Sequence, residues 1–509
     1  MRKRLLTILL LLISLSVQLH SQNIFVAVDG DDANPGTIDL PLKSIQSAIS
    51  KIQIGDTIFV RGGVYKLSTT ISVSSKNGNE SSKYYLFAYP GERPVLDFSS
   101  MPTNSGNRGI NFKTKYWHMK GFDIKGAGDN GMNLSGSNNI IEFCSFYENR
   151  DTGLQLGGGA SNNQIINCDS YFNADPSNGN ADGFAPKLDV GSGNYFYGCR
   201  AWQNSDDGWD GYMRSADDVS TTLENCWCFN NGYLKSGKAS SGNGNGFKMG
   251  GSDTKTLMHN FTLKKCIAFD NRVKGFDQNN NKGSMILENC TAYRNGTNYG
   301  VNQALNQGKT LALTNCVALG SQGSIGTFAI QNTNSWMSQF VVDESDFVSI
   351  DTTGVRGPRK ADGSLPDILF MHLAEGSDLI DAGTDIGLPF FGSAPDLGAF
   401  EYGIISSSKN IDSEIPETFV LFQNYPNPFN PETIIGYQLS SAGNVSLKVY
   451  DILGNEVVEL VNEFQNPGTH FVKFNAQSTN YGKQLASGIY FYQLRSGAFT
   501  QTKKFILMK

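Results

Sequence analysis

The chain has 509 residues, of which 39% are hydrophobic, 17% charged and 56 glycine, with a formal charge of −6. That length holds two or three domains, and so little charge with so much glycine excludes a coiled coil, a helical repeat and a charge-rich disordered chain. The composition suits a β-rich, turn-rich protein, and its acidity excludes a nucleic-acid binder.

Residues 1–22, MRKRLLTILLLLISLSVQLHSQ, have three basic residues, a short apolar core and a small-residue exit. This is the pattern of a secretory signal peptide, too short to span a bilayer usefully. The first cysteine is Cys144, so no lipoprotein anchor follows it. Removing Arg2, Lys3 and Arg4 with the leader takes the formal charge from −6 to −9. No later segment reaches the roughly 18 apolar residues of a membrane helix, so an exported protein without an integral membrane segment is expected.

From residue 23 a Gly/Asp/Pro loop leads to an amphipathic stretch, Leu42–Ile52, that predicts a helix capping an open end. A short strand, DTIFV, follows. The main body then repeats a pattern of Cys, any residue, small, aromatic, any residue, Asn. The copies are CSFYEN, CDSYFN, CRAWQN, CWCFNN, CIAFDN and CTAYRN, and CVALGS from Cys316 is a degenerate seventh. Successive leading cysteines lie 24, 31, 27, 40, 24 and 26 residues apart. Short β-rich runs joined by turns at that period describe a parallel β-helix with coils about 4.8 Å apart. The cysteines then form an inward ladder of small hydrophobes, although a secreted chain also permits disulfides. The repeated Asn should stack at a turn, where it tolerates unusual dihedrals.

A Gly preceded by Asp or Asn in several coils follows the Asn by four residues in three coils (Gly153, Gly208, Gly275) and by ten or fifteen in two others (Gly183, Gly246). Inserted loops therefore flank the coil led by Cys199 and should wall a cleft around it. The residue after each Gly is apolar and should face inward: Met132 (after Gly131), Leu154, Phe184, Trp209, Phe247, Phe276. By strand alternation the next column faces out: Asn133, Gln155, Ala185, Asp210, Lys248, Asp277. Asp182 and Asp207 stand just before their glycines, with Asp206 alongside. Asp before Gly is also ordinary turn chemistry, but three aspartates crowded into one coil exceed what a turn ladder needs. Four converging carboxylates with no His or Cys nearby call for a divalent cation, and oxygen donors of this kind point to Ca²⁺.

At these residues the chain resembles polysaccharide lyase family nine, the calcium-dependent pectate lyases with a right-handed parallel β-helix. ADGFAPKLDVGSGNYFYGCRAWQNSDDGWDGY (181–212) and NGNGFKMGG (243–251) carry the resemblance. It implies that Asp182, Asp206, Asp207 and Asp210 hold Ca²⁺ and that Lys248 is the Brønsted base. The reaction implied is β-elimination on polygalacturonate, the pectin backbone, or on rhamnogalacturonan or another uronate polymer. Lys187 and Asp277 are weaker candidates for substrate binding, and Lys187 and Lys274 are alternatives for the base. A β-helix hydrolase would need a paired acid and base and the Gly-His-Gly element of that group, which is absent. A non-catalytic adhesin would explain the repeat but not the aspartates beside an in-register lysine.

Residues 404–418 read as a polar linker, and 419–509 as a small β-sandwich with no cysteine. LFQNYPNPFNPETIIGYQL, VYDILGNEV, LASGIYFYQL and KKFILMK resemble the type A sorting domain of the type IX secretion system. That resemblance implies the type IX machinery as partner and a secreted or cell-surface destination. The whole is expected to be all-β, a right-handed parallel β-helix over 23–403 followed by the sandwich, working as a monomer.

Overall fold

The computed structural model describes residues 22–360, 362–388, 390–403, 419–424, 427–465, 468–476, 485–497 and 499–508. The leader (1–21) and the linker (404–418) lie outside the described residues.

Ten coils each contribute one short strand to each of three parallel sheets, and the first sheet has one further strand at either end. The first sheet has twelve strands, from Asn23–Val26 to Ile330–Asn332. The second has ten, from Gly63–Lys66 to Val317–Leu319, and the third has ten, from Ile71–Val73 to Gly323–Ile325. The result is a parallel β-helix. Its N-terminal end carries the expected helix, shortened to Ile45–Lys51, with Ser44 Oγ capping Ser47 N–H at 3.1 Å. Ile45, Ala48 and Ile49 are buried against the first coil, closing the apolar interior.

All eight cysteines are free and buried. The seven leading ones precede strands paired in register, Ser145 with Asp169, Asp169 with Arg200, and so on to Val317. Cys228 instead joins the small-residue column, paired with Ala201 and Ala268. The Asn ladder also forms. Asn149, Asn173, Asn204, Asn231, Asn271 and Asn295 pass side-chain hydrogen bonds of 2.9–3.0 Å from coil to coil. The left-handed backbone, however, belongs to the residue before each Asn: Glu148, Phe172, Gln203, Asn230, Asp270 and Arg294 have φ of 47–57°. The Asn is kept for its amide, which satisfies buried backbone groups in a turn of fixed shape.

The aromatics of the repeat face outward on the second sheet. Tyr147, Tyr171, Trp202, Phe229 and Phe269 stack with ring centroids 4.3–5.6 Å apart. An irregular segment after the last coil covers this column, burying Phe347, Val355, Phe370, Leu373 and Leu397 against it. Arg200 and Arg359 of this interface both bind Asp169, at 2.8 and 2.7 Å.

The described residues between 419 and 508 form a three-stranded and a four-stranded antiparallel sheet around Leu421, Tyr437, Leu447, Phe474, Tyr492 and Phe505. No helix among the described residues is long and apolar enough to cross a membrane.

Candidate active site

The third sheet carries the candidate site. Its inward column (Met132, Leu154, Phe184, Trp209, Phe247, Phe276) is fully buried, and its outward column runs in register as the sequence predicts. Asp210 is therefore the direct neighbour of Lys248, and Lys248 of Asp277. Position, rather than loop conformation, brings these side chains together.

Asp182, Asp207 and Asp210 each offer a carboxylate oxygen within 4.8 Å of the others. Lys248 Nζ sits 2.9 Å from Asp207 Oδ2 and 3.1 Å from Asp210 Oδ1. Lys187 Nζ lies 2.6 Å from Asp182 Oδ2 and 3.3 Å from Asp210 Oδ2. Lys187 is thus a buried counter-charge to the aspartates. Asp277 is buried as well, beneath Lys274, whose Nζ lies 2.7 Å from its Oδ1.

Asp206 stands apart from the trio. Its Oδ1 accepts the N–H of Asn243, on the loop inserted in the next coil. The inserted loops do not stand as two separate walls. Ser241 N–H donates to Asn178 O at 3.0 Å and its hydroxyl to Ser177 O at 2.7 Å, so they join across the coil led by Cys199. Gly242 permits this, since a Cβ there would lie 2.3 Å from Ser205 O. The bridge leaves Asp206 buried.

Several positioning groups have no role assigned to them by the sequence. Asp182 accepts the Thr152 hydroxyl and the Asp207 N–H, both at 3.2 Å. Asp207 Oδ1 accepts from Asn245 N and Nδ2 at 2.8 and 2.9 Å. His259, buried behind the sheet, contacts Gly211 O through Nδ1 at 2.9 Å, pinning the backbone just after Asp210. A carbonyl only accepts, so Nδ1 carries the proton and Nε2 accepts from the Thr221 hydroxyl at 2.8 Å. Burial holds this imidazole neutral, with its pKa down at about 4.

The electrostatics are those of crowded acids. Burial, with Asp210 and Asp207 adding to it against Lys187, raises the Asp182 carboxyl to about 7. Burial and the Asp207 and Asp182 charges raise Asp206 to about 9. Asp207 is also raised by burial, whereas Lys248 and Lys187 hold Asp210 below the usual range despite its burial. Burial works against the Lys248 ammonium, but Asp207 and Asp210 keep it well above the ordinary lysine value.

This donor set fits a hard divalent cation. All three donors are carboxylates, and no His or Cys belongs to the group. The buried Asp207 Oδ2 meets Lys248 only as an ion pair and accepts no well-formed hydrogen bond. Oxygen-only donors of this kind suit Ca²⁺ or Mg²⁺ rather than a softer metal.

The family model described as Pel9A-like, right handed beta helix region matches residues 24–315. The chain belongs to this family. "Pectate lyase L" of Dickeya chrysanthemi is 39% identical over 388 residues, covering 74% of this chain and 90% of the relative. The solved structure of pectate lyase Pel9A is 37% identical, with a TM-score of 0.70, covering 76% of this chain and 98% of that one. A solved rhamnogalacturonan lyase is 26% identical, with a TM-score of 0.61, covering 70% and 97%. Residues 423–508 match the secretion system C-terminal sorting domain, which marks the protein for secretion or surface display.

Proposed function

We propose that this protein is an exported, calcium-dependent pectate lyase that cleaves polygalacturonate by β-elimination, with Lys248 as the base. The convergence of Asp182, Asp207 and Asp210 with Lys248, on a chain 39% identical to pectate lyase L, carries this reading. Asp182, Asp207 and Asp210 would hold the ion, with Asp206 beside them as the fourth candidate ligand. When bound, calcium would cancel the charge of the aspartates, attract the substrate carboxylate and acidify the proton at C5.

Lys248 Nζ, as the neutral amine, takes the C5 proton. The electron pair forms the C4–C5 double bond and expels the glycosidic oxygen at C4, which is protonated by solvent. No water adds to the sugar, so the new end is a 4,5-unsaturated uronate. A lysine used as neutral base gains activity toward alkaline pH. Lys187 stays behind the aspartates, balancing their charge and holding Asp182 and Asp210 in place. The N-terminal leader and the sorting domain would take the enzyme across both membranes through the type IX machinery.

The test is ultraviolet absorbance of the unsaturated product from polygalacturonate, with calcium and then with chelator. Calcium-dependent growth supports the reading. Reducing ends without absorbance would mean hydrolysis, and absorbance only from rhamnogalacturonan would assign the activity of the second structural relative.

A further inference from the structure

We propose that Lys274 is a second carboxylate-reading residue of the groove, positioned by Asp277 and given room by Gly300, and that it selects an unesterified uronate beside the cation-bound one. The inference rests on the lyase reading above. On the outward column of the third sheet, Asp277 follows Lys248 and Gly300 follows Asp277, one per coil. Lys274 reaches this column from the first position of the same strand, Lys274–Asp277, and anchors its ammonium 2.7 Å from Asp277 Oδ1. The same oxygen accepts the Asn279 N–H at 3.1 Å, so the anchor is itself fixed.

The path of the Lys274 side chain depends on a missing side chain. A Cβ on Gly300 would lie 2.6 Å from Lys274 Cδ and 3.0 Å from Cε. The lysine stem therefore lies flat across Gly300, and any larger residue there would lift it from the sheet. Lys187 and Lys248 have side chains under a tenth exposed and are spent on the site aspartates, whereas the Lys274 side chain is 34% exposed. It offers an ammonium to whatever lies in the groove.

A 1,4-linked uronate chain laid along the helix axis advances about one ring per coil, since coils repeat at about 4.8 Å. With one carboxylate at the aspartate site, a carboxylate one or two rings onward faces the Lys274 coil. A charge-assisted hydrogen bond there is lost when that carboxylate is a methyl ester. Were the Lys274–Asp277 pair only a surface ion pair, it would contribute little and would not respond to esterification.

The experiment compares wild type, Lys274→Met and Gly300→Ala by initial rates on polygalacturonate and on partly methyl-esterified pectin at saturating calcium. Calcium binding to each protein is measured calorimetrically without polymer. Both variants should raise KM on polygalacturonate about tenfold, the loss of one charged contact, with kcat within about twofold. They should raise KM much less on the esterified polymer and leave calcium affinity unchanged. Gly300→Ala keeps the lysine and only displaces it, so it separates position from charge. An unchanged KM on polygalacturonate, or an equal rise on both polymers, overturns the proposal. A collapse of kcat at constant KM would make Lys274 the base and overturn it too. A wild type without calcium-dependent elimination brings down the lyase reading itself, and that failure is seen before any variant is compared.

Discussion

Replacing Asn204 by Ala removes the centre of the amide ladder immediately before Ser205, Asp206 and Asp207. The Asn204 side chain donates to Asn231 Oδ1 at 3.0 Å and to Ser170 O at 3.1 Å. It accepts from Asn173 Nδ2 at 2.9 Å and from Asn173 N at 3.4 Å. Asn173 Nδ2 keeps Ser170 Oγ and Phe146 O as partners, so it is not orphaned. The Asn173 N–H loses its acceptor. At about 1 kcal/mol net per hydrogen bond, and somewhat more for the buried N–H left unpaired, the cost comes to about 4 kcal/mol. Urea unfolding followed by far-ultraviolet circular dichroism and by tryptophan fluorescence measures it, since Trp202 and Trp209 flank the site. Coils of a solenoid fold through their neighbours, so the fluorescence transition should shift at least as far as the global one. A loss below about 1 kcal/mol would refute the view that the ladder is a principal support of the turn bearing the aspartates.

Two further outcomes follow from charges. Burial alone would raise the Asp169 carboxyl, but Arg359 and Arg200 together hold it down at about 2. A carboxyl lowered in the folded state contributes stability that is present above its unfolded pKa and lost as pH falls through the folded one. That contribution, roughly 2 kcal/mol, should fade between about pH 4 and pH 2. The destabilisation of Asp169→Asn relative to wild type should therefore shrink over that window in acid unfolding, and a constant difference would contradict the pairing. The second outcome concerns the metal: calcium should raise the melting temperature, because an ion bound only by the folded state adds about 2.7 kcal/mol at a hundredfold excess over its Kd. Asp207→Asn should abolish most of that rise, and an undiminished rise would place the ion elsewhere.

Much of this site is legible in sequence because a solenoid converts spacing into position. Once the cysteines set the period, the glycines place Asp210, Lys248 and Asp277 in one column, and the paired strands agree. The paths of loops do not follow from the period. The bridge between Ser241 and Asn178 rests on contacts between segments more than sixty residues apart. It ties Asp206 to Asn243 rather than to the other aspartates. Lys187 and Asp277 read as possible substrate contacts because alternation gives a facing direction and not a partner. The aspartates claim Lys187, and Lys274 covers Asp277. The aromatic of the repeat is visible, but its cover, the segment bearing Phe347, Val355, Phe370, Leu373 and Leu397, has no periodicity to signal that it folds back. His259 lies outside every motif, since its role is to hold a backbone carbonyl from the neighbouring sheet.

The central claim is that Lys248 removes the C5 proton beside an ion held by Asp182, Asp207 and Asp210. The most direct measurement is the rate of unsaturated-product absorbance from polygalacturonate for Lys248→Ala, with calcium binding to the same protein determined in parallel. The account predicts a fall in kcat of about 10²–10⁴-fold, the usual worth of a general base, with calcium still bound. Full activity in Lys248→Ala would contradict it.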